Sequence, residues 1–384
     1  MMDNDQMLTR DLEVLREKGN FRQLPSVEHL GRWVRSGEQP MLNLSSNDYL
    51  GLATDESLHK AFMEELSAED SLLSSSSSRL LTGNFAVHDR LERLLAESFG
   101  KEAALVFSSG YHMNTGILPA VADAHTLILA DKLVHASLID GIRLSAAKCI
   151  RFRHQDYAQL EALLQKHHAD FHRILIVTES IFSMDGDVAP LQQLVELKQR
   201  YPGTMLYVDE AHAIGVRGQN GLGVAEEQAC IPGIDFLCGT FGKAVASVGA
   251  YVTCSLPVRN YLINRMRTLI FTTALPPLNV AWTEFIVKRL PDMNERRRRL
   301  ATLSEQLRTA LKEKGYACPS ESHIVPMLIG ASKETILKAE ELQRKGFYVL
   351  PVRPPTVPEG TSRLRFSLTA TLSAGELEQL IDVL

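Results

Sequence analysis

The chain contains two short segments whose residue types suit covalent chemistry, Asp209–His212 and Thr240–Ala244. Lys243 lies in the small-residue turn of the second segment, and its amine can form a Schiff base with pyridoxal phosphate. Asp209 follows an apolar run and can hold the pyridine nitrogen of that cofactor protonated, so that the ring accepts electrons. A lysine alone in a turn is more often a surface residue. The pair of acid and lysine therefore carries the prediction of a pyridoxal phosphate site.

Two histidines are candidates for the same site. His212 comes three residues after Asp209 and can reach the cofactor ring from the side of its phenolic oxygen. His135 follows another predicted strand and can stack on the face of the ring. Each histidine taken alone is more often a structural residue, so both assignments depend on the acid and the lysine.

The segment Ser108–Tyr111 has the pattern of a strand-to-helix turn that can bind a phosphate group. Free backbone N–H groups and the positive end of the following helix favour an anion near Gly110 and Tyr111. Thr240 adds a hydroxyl close to Lys243 that can bind the same phosphate. Turns of this type are common, so this prediction also depends on the pair.

A further set of candidates lies near the end of the chain, in the alternating segment Arg363–Thr369. If strand alternation holds, Arg363 and Arg365 share one face of the strand. A guanidinium binds a carboxylate through two parallel hydrogen bonds, so one of these arginines can hold an acidic substrate. A surface ion pair is the alternative for either arginine.

Length and composition exclude several classes of protein. The 384 residues are 45% hydrophobic and 23% charged, and the net charge of −5 gives no electrostatic case for binding nucleic acid or an anionic membrane. Asp209–His212 also matches the DEAH box of nucleic-acid motors, but the G-x-x-x-x-G-K-[ST] phosphate loop of that class is missing from the sequence. The basic run Arg296–Arg299 lies in a helical pattern and is expected to form a solvated helix face.

Signals for targeting and for metal binding are also missing from the sequence. Met1–Arg10 carries acids and has no apolar core, unlike a signal peptide, and no stretch reaches the roughly 18 apolar residues of a membrane span. Five cysteines without a C-x-x-C pair argue against a disulfide framework or a metal site. We therefore expect a cytoplasmic protein that binds neither a membrane nor a metal ion.

The elements that must position these residues alternate between short apolar strands and helices. Strands are predicted over seven segments in the middle of the chain: Ala104–Phe107, Thr126–Ala130, Lys148–Phe152, Arg173–Thr178, Thr204–Val208, Asp235–Cys238 and Ala250–Cys254. Their alternation with helices predicts an α/β fold with one mostly parallel sheet and helices on both of its faces. Ligands of such sheets bind beyond the carboxyl ends of the strands, where Gly110, Asp209 and Lys243 all fall.

The same pattern divides the chain into three parts. Residues 1–42 are predicted to form an N-terminal helix and arm, residues 43–277 a large cofactor-binding domain, and residues 278–384 a smaller α+β domain. A long helix with an interruption near Pro291 begins the last part, and strand–helix–strand units follow it.

Five motifs resemble the α-oxoamine synthases, a family of pyridoxal phosphate enzymes with the aspartate aminotransferase fold. The motifs are Leu44–Leu52, Phe182–Asp187, Val208–Gly215, Gly221–Gly223 and Thr240–Lys243, and the resemblance extends from about residue 21 to residue 371. It implies the type I fold of these enzymes, with a seven-stranded, mostly parallel sheet in the large domain and a smaller α+β C-terminal domain. It also implies a homodimer with active sites at the interface.

Within that family, Phe21–Arg22 and Arg353–Arg365 resemble the biotin-synthesis branch. The implied activity is that of a C-acyltransferase, which condenses L-alanine with pimeloyl-CoA or a pimeloyl-carrier protein and releases CO2. The implied products are 8-amino-7-oxononanoate and the free carrier thiol. The nearest alternative is a sister enzyme that uses glycine or serine with another acyl thioester. A catalytically silent partner subunit is a further alternative.

The resemblance assigns roles to individual residues of the site. The residues that match catalytic positions are Lys243, Asp209, His135 and His212. The residues that match cofactor contacts are Lys243, Gly110, Tyr111, Ser183, Asp209, His212, Thr240, Thr272 and Thr273, of which the last two reach the phosphate of a neighbouring subunit. The residues that match substrate contacts are Arg22, Asn47, His135, Thr356 and Arg365, with Arg365 and Asn47 at the alanine carboxylate and Arg22 and Thr356 at the acyl group.

The chain departs from the family pattern in three places. Ser74–Ser78 stands where a glycine-rich run is frequent, and because serine tolerates positive φ poorly, the loop is expected to differ in shape. Thr369–Leu372 lacks a histidine that is usual near the end, and Gly249–Ala250 replaces a glycine pair. These departures bear on the choice of substrate more than on the chemistry.

Overall fold

The computed structural model describes residues 4–384, so the first three residues of the segment 1–10 lie outside the described residues. In chain order the strands are β1 (Glu28–Leu30), β2 (Trp33–Arg35), β3 (Pro40–Asn43), β4 (Ala103–Phe107), β5 (Thr126–Asp131), β6 (Lys148–Phe152), β7 (Arg173–Glu179), β8 (Thr204–Asp209), β9 (Phe236–Thr240), β10 (Ala250–Cys254), β11 (Ile324–Gly330), β12 (Phe347–Tyr348), β13 (Pro351–Val352) and β14 (Ser362–Ser367). The α-helices are α1 (Asn4–Glu17), α2 (Glu56–Glu65), α3 (Ala86–Ser98), α4 (Gly110–Val121), α5 (Ala136–Leu144), α6 (Tyr157–His167), α7 (Leu191–Gln199), α8 (Val224–Glu227), α9 (Leu256–Arg265), α10 (Arg267–Ile270), α11 (Pro277–Arg289), α12 (Asn294–Glu313), α13 (Ser332–Arg344) and α14 (Ala374–Val383). Within residues 4–384, no helix is both long enough and apolar enough to cross a membrane.

The chain forms two compact units. The large unit comprises Leu50–Ser183 and Val188–Arg298, and the small unit comprises the described residues up to Tyr49, Met184–Asp187 and Arg299–Leu384. These units follow compactness alone. The division by function into residues 1–42, 43–277 and 278–384 therefore stays a prediction.

One seven-stranded sheet forms the core of the large unit, in the order β4-β10-β9-β8-β7-β5-β6. Its members are the seven strands predicted from the sequence, with ends that differ by at most two residues. Strands β9, β8, β7, β5 and β6 pair in parallel, whereas β10 runs antiparallel to both of its neighbours. Nearly every residue of the central strands is buried, as expected for a parallel sheet covered by helices. The predicted α/β fold with a mostly parallel sheet is confirmed.

The carboxyl ends of the strands bring the predicted cofactor residues of the large unit to one edge of this sheet. β8 ends at Asp209, and β9 ends at Thr240, three residues before Lys243. β4 has the same direction as β9, because both are antiparallel to β10, and it leads into α4 at Gly110. β7 ends at Glu179, which lies beside Asp209 in the register of the two strands. The position of the site follows directly from this topology.

Two small sheets and the helices that follow them build the small unit. β11, β14 and β13 form an antiparallel sheet in that order, and β1, β2, β3 and β12 form a second sheet in which β12 pairs with β3 in parallel. The strand predicted around Arg363 and Arg365 is β14, which ends at Ser367. The predicted succession of strand, helix and strand in this part of the chain is confirmed.

The prediction that Arg296–Arg299 forms a solvated helix face is wrong for Arg297. This side chain is only 5% exposed, and its guanidinium donates to the backbone oxygens of Leu290 and Gln219, each at 2.7 Å. The carbonyl groups at the end of a helix have no partner within the helix, and a buried cation can supply the missing donors. Arg297, the second arginine of the run, therefore has a structural role.

Gly223 is a position of the large unit where both the backbone and the neighbours disfavour a side chain, and Gly223→Ala is expected to lower the free energy of unfolding by about 3 kcal/mol or more. Its φ is +110°, and a Cβ would lie 2.7 Å from the carboxyl group of Glu210. That carboxyl group is fully buried and accepts from the N–H groups of Val224 and Ala225 and from the hydroxyl of Ser180. Urea unfolding of the two proteins measures the difference.

Gly100→Ala is the matched control for this substitution. Gly100 also has a positive φ, of +60°, but nothing lies within 4 Å of the position of its Cβ. Gly100→Ala should lower the free energy of unfolding by only about 1–2 kcal/mol, because only the backbone conformation is strained. Equal losses in the two variants would show that the buried carboxyl group of Glu210 does not restrict the loop.

Candidate active site

Asp209 is a buried carboxylate at the carboxyl end of β8, with 6% of its surface exposed. The backbone N–H of Ala211 donates to its Oδ1 at 3.0 Å, and the side chain of Asn114 donates to its Oδ2 at 2.9 Å. Both oxygens are thus oriented by neutral donors. No lysine or arginine within residues 4–384 forms an ion pair with Asp209, so a cationic ring nitrogen would suit this carboxylate as a partner.

Lys243 lies in the tight turn between β9 and β10, and its Nζ is 2.8 Å from the Nε2 of His212. The turn is closed by backbone hydrogen bonds from Phe241 to Gly249 and from Ser247 to Phe241, each 2.9 Å long. The structure therefore brings Lys243 and His212, two residues predicted for the cofactor site, into direct contact. Because His212 comes three residues after Asp209, a single segment supplies both the acid predicted to pair with the ring nitrogen and the histidine that contacts the lysine.

The first position of the pair Gly249–Ala250 requires a glycine because of its backbone conformation and its close neighbours. Its φ is +117°, and a Cβ there would lie 3.0 Å from the backbone oxygen of Phe107. Ala250 begins β10 and has no such restriction. The loss of the second glycine of the family pattern therefore leaves the lysine turn intact.

His135 caps the first turn of α5 and is held at both its backbone and its ring. Its backbone N–H donates to the carboxyl group of Glu179, and its Nδ1 lies 2.8 Å from the hydroxyl and 3.2 Å from the backbone nitrogen of Ser137. Burial lowers the pKa of His135 in spite of the opposing effect of Asp209, so the ring is neutral at neutral pH. Burial and the nearby charge of Asp209 raise the pKa of Glu179 well above its usual range.

The predicted strand-to-helix turn is present at the start of α4, and its role in binding a phosphate stays a prediction. Ser109 caps the helix, and its hydroxyl accepts from the backbone N–H of His112 at 3.1 Å. Gly110 and Thr240 are brought together, since a Cβ on Gly110 would lie 3.7 Å from the Cβ of Thr240. The Thr240 hydroxyl donates its proton to the backbone oxygen of Gly249. To donate to a phosphate oxygen instead, this hydroxyl has to give up that hydrogen bond. Tyr111 is half exposed.

A loop after α10 carries the two threonines assigned to a neighbouring subunit. Thr272 and Thr273 line one shallow pocket together with Ser108 of the phosphate turn. The run Ser74–Ser78 supports this loop, because the backbone N–H of Ala274 donates to the oxygen of Ser77. The Ser75 hydroxyl also donates to the backbone oxygen of Leu275, at 2.6 Å, which glycine cannot do. Ser76 has a φ of +50° all the same.

Ser183 and the arginines of β14 complete the predicted set. Ser183 is half-buried in the turn after β7. In the small unit, Arg365 donates to the Ser367 hydroxyl at 2.6 Å and to Asn47 Oδ1 at 3.3 Å. Arg363 is 4% exposed and forms an ion pair with Asp185. The structure thus brings Arg365 and Asn47 together and commits Arg363 to a structural pair.

Arg22 and Thr356, assigned to the acyl substrate, also meet within the small unit. The Arg22 guanidinium donates to the Thr356 hydroxyl at 2.8 Å. Arg353, from the same loop as Thr356, donates to the backbone oxygen of Gly19. The N-terminal arm is therefore fixed to the loop before β14, and the two guanidinium groups give this part of the unit a positive charge.

Asn114 and Ser137 of the site were not predicted as functional, and Glu179 was given no role beyond its place at the end of a strand. Asn114 lies one helical turn after Gly110, so it shares the face of α4 that starts at the phosphate turn. Ser137 comes two residues after His135, and Glu179 is a strand end next to Asp209. Helical spacing and strand order carried this signal in the sequence.

The residues of the large unit fit pyridoxal phosphate on the chemistry of the donor set. A buried carboxylate without a cationic partner among the described residues matches a protonated ring nitrogen. An amine on a turn at the same sheet edge, beside a glycine whose Cβ would come no closer than 3.7 Å to another group, matches the aldehyde carbon. A strand-to-helix turn beside Thr240 matches the phosphate.

Comparison with known proteins gives the same picture. The family model for class I and II aminotransferases matches residues 39–384. A Haemophilus ducreyi protein named 8-amino-7-oxononanoate synthase is 54% identical over 97% of this chain and 98% of its own length. A Pasteurella multocida protein, provisionally given the same name, is 57% identical over 98% of this chain and 97% of its own.

Solved structures agree with these relatives. A serine palmitoyltransferase from Sphingomonas wittichii superposes with a TM-score of 0.89 at 30% identity, covering 99% of this chain and 95% of its own. An 8-amino-7-oxononanoate synthase from Francisella tularensis superposes with a TM-score of 0.76 at 28% identity, covering 89% of this chain and 96% of its own.

Proposed function

Since the chain belongs to the class I and II aminotransferase family, as a pyridoxal phosphate-dependent acyltransferase of the 8-amino-7-oxononanoate synthase group, we propose that it joins L-alanine to a pimeloyl thioester. A bond forms between the alanine Cα and the thioester carbonyl carbon, and the carbon–sulfur bond breaks. The alanine carboxyl group leaves as CO2. The products are 8-amino-7-oxononanoate and the free carrier thiol, in a step of biotin biosynthesis. The observation that carries the proposal is the position of Asp209 and Lys243 at the same edge of one sheet, in a chain that matches such synthases over nearly its full length.

Bound pyridoxal phosphate supplies an electron sink for the negative charge that develops at the alanine Cα when its proton leaves and again when CO2 leaves. Asp209 holds a proton at the ring nitrogen, which it can do because its two oxygens are already oriented by Ala211 and Asn114. Lys243 is the general base that takes the Cα proton, and its contact with His212 fixes the position of the amine. The neutral ring of His135 offers an uncharged face to the cofactor.

Arg365 is proposed to bind the carboxylate of alanine, with Asn47 beside it, and Arg365→Lys is expected to raise the KM for L-alanine by roughly 10- to 100-fold. Lysine keeps the charge but loses the planar pair of N–H donors. Three neutral oxygens, from Ser367, Asn47 and Tyr49, orient the guanidinium in the native chain. Initial rates at varied L-alanine measure the effect.

The KM for pimeloyl-CoA serves as the internal control for this variant and should change by less than about twofold. A variant whose two KM values rise equally would show a general distortion of the small unit. A variant with an unchanged KM for L-alanine would contradict the assignment of Arg365.

A sister activity with glycine or serine is the second candidate, because serine palmitoyltransferase structures superpose on this chain with TM-scores of 0.89 and 0.90. Thiol release from pimeloyl-CoA, acetyl-CoA and palmitoyl-CoA, each with L-alanine, glycine or L-serine, separates the two candidates. The proposal predicts that the pair of L-alanine and pimeloyl-CoA gives the highest kcat/KM. A higher value for L-serine with palmitoyl-CoA, or for glycine with acetyl-CoA, would replace it.

Three further features belong to the same proposal. The pimeloyl group can arrive on coenzyme A or on a carrier protein, and the two donors are compared in the same assay. The chain is proposed to act as a homodimer in which the loop of Thr272 and Thr273 completes the phosphate site of the neighbouring subunit, as the resemblance to the α-oxoamine synthases implies. Both threonines lie in a partly exposed loop, which supports this role. Activity in the cytoplasm stays a prediction from the sequence.

A further inference from the structure

Asn114 is a buried side chain of α4 that connects the acid and a histidine of the cofactor site. It is 1% exposed, and its Nδ2 donates to Asp209 Oδ2 and to the hydroxyl of Ser137, both at 2.9 Å. The hydroxyl of Tyr207 donates to its Oδ1 at 2.5 Å. The Ser137 hydroxyl in turn lies 2.8 Å from Nδ1 of His135. One amide thus links the groups that orient the two functional side chains.

The hydrogen-bond directions in this network are determined by its ends. Asp209 Oδ2 can only accept, so it must face the NH2 group of Asn114, and the Oδ1 of that amide faces Tyr207. The second N–H of Asn114 occupies a lone pair of the Ser137 oxygen, which leaves the Ser137 proton to be donated to His135 Nδ1. The backbone N–H of Ser137 also donates to that nitrogen, at 3.2 Å. His135 Nδ1 is therefore an acceptor, and the ring proton is on Nε2.

The backbone around Asn114 is held as firmly as its side chain. Gly141 of α5 packs on the helix at this point, since a Cβ on Gly141 would lie 2.3 Å from the backbone oxygen of Asn114. Tyr207 is fully buried and stacks on Phe236, with ring centroids 5.7 Å apart. The amide therefore cannot move away from Asp209 without separating two helices or shifting the sheet.

We propose that Asn114 is a positioning residue of the cofactor site, whose amide fixes the Asp209 carboxylate on one side and, through Ser137, the Nε2–H tautomer of His135 on the other. The proposal rests on pyridoxal phosphate as the cofactor, and it does not depend on which amino acid and thioester react. Its tests therefore use cofactor binding and the protein without substrates.

The first test measures the Kd of pyridoxal phosphate for the apoprotein by absorbance titration. Asn114→Leu, of similar size, is expected to raise this Kd by roughly tenfold or more, because a hydrogen bond to a buried charge is lost. Thr115→Val is the matched control. Its hydroxyl is also buried on α4 but donates to the backbone oxygen of Tyr111 and not to the acid, so the Kd should stay within about twofold.

The same substitution in an Asp209→Asn background distinguishes positioning from a general loss of structure. If Asn114 acts through the carboxylate, Asn114→Leu should change the Kd by less than about twofold in that background. An equal factor in both backgrounds, or a wild-type Kd for Asn114→Leu, would overturn the proposal. If Asn114→Leu does not fold, Tyr207→Phe tests the same point, because it keeps the ring packing and releases the amide. We expect a rise in Kd of roughly threefold, and no change would overturn the proposal.

The second test concerns His135 and needs no cofactor. Nitrogen NMR of apoprotein labelled at histidine reports which ring nitrogen carries the proton, and the spectrum of His135→Gln identifies the signal among the 12 histidines. The proposal predicts an unprotonated Nδ1 and a protonated Nε2 at pH 8, and a mixture of tautomers in Asn114→Leu. A protonated Nδ1 in the native chain, or the same pure tautomer in both proteins, would overturn this half of the proposal.

Discussion

Lys243→Ala is expected to lower kcat by at least roughly 10³-fold, which is the largest effect that we expect from any single substitution in this chain. In the proposed mechanism the lysine amine attaches the cofactor and takes the Cα proton of the amino acid, and no second amine on the same turn can replace it. Its Nζ is held 2.8 Å from His212 Nε2, so the loss affects one defined position at the sheet edge. Thiol release from pimeloyl-CoA in the presence of L-alanine measures the rate.

Lys288→Ala is the control for this prediction, because Lys288 is a half-exposed lysine of α11 that pairs with Glu284. Its activity should stay within about twofold of the native rate, because Lys288 is not a predicted site residue and Glu284 keeps Arg90 as a second ion-pair partner. Addition of a small primary amine to Lys243→Ala should restore part of the activity if the missing function is that of a base. A Lys243→Ala protein with more than a tenth of the native kcat would rule out this lysine as the base.

Asp209→Asn is expected to lower kcat by roughly 10²- to 10³-fold, the second largest effect. Asparagine keeps the shape of the side chain but removes the negative charge that is proposed to hold a proton on the ring nitrogen, and an unprotonated ring is a poorer electron sink. In the native chain, N–H donors of Ala211 and Asn114 each bind one carboxylate oxygen of Asp209. The new amide group would place its own N–H donors against one of them. Steady-state kinetics with L-alanine and pimeloyl-CoA measure the loss.

Asp131→Asn is the matched control for the acid. Asp131 is also a fully buried aspartate at the end of a strand of the same sheet, and it accepts from the backbone N–H groups of Leu133 and Gln155. Its substitution should cost stability and leave kcat within about fivefold. If the two variants lose activity to the same extent, the effect of Asp209 is structural, and the proposed role of its charge fails.

The fold and the acid–lysine pair could be predicted from the sequence because both are encoded locally. Each of the seven strands is a short apolar run, and their order along the chain places their carboxyl ends at one edge. Asp209 is the first charged residue after the apolar run of β8, and Lys243 is the first charged residue after the apolar run of β9. Local patterns of this kind give the position of a site without any knowledge of packing.

The side chains that orient the site could not be predicted, because their contacts are not local. Asn114 is 95 residues from Asp209 and 23 residues from Ser137 along the chain. Spacing within α4 placed it on the face of the phosphate turn, but the meeting with β8 and α5 depends on how the helices pack on the sheet. The available signal was an asparagine among apolar residues, one helical turn after Gly110.

Arg297 shows the same limit from the opposite side. A run of four arginines in a helical pattern favours a solvated face, and the adjacent Arg298 is exposed. Arg297 is buried because the end of α11 and the loop at Gln219 present backbone oxygens to it. Arg363 and Arg365 share a strand and have different partners for the same reason, since Asp185 approaches one and Asn47 the other.

The most direct test of the central claim is mass spectrometry of the product formed from labelled L-alanine and pimeloyl-CoA by the purified protein. With ¹³C at the methyl carbon, we expect 8-amino-7-oxononanoate that carries one label, formed in equal amount to the released thiol. With ¹³C at the carboxyl carbon, we expect unlabelled product and labelled CO2. Product that keeps the carboxyl label, or no product from L-alanine while glycine or L-serine reacts, would contradict the proposed reaction.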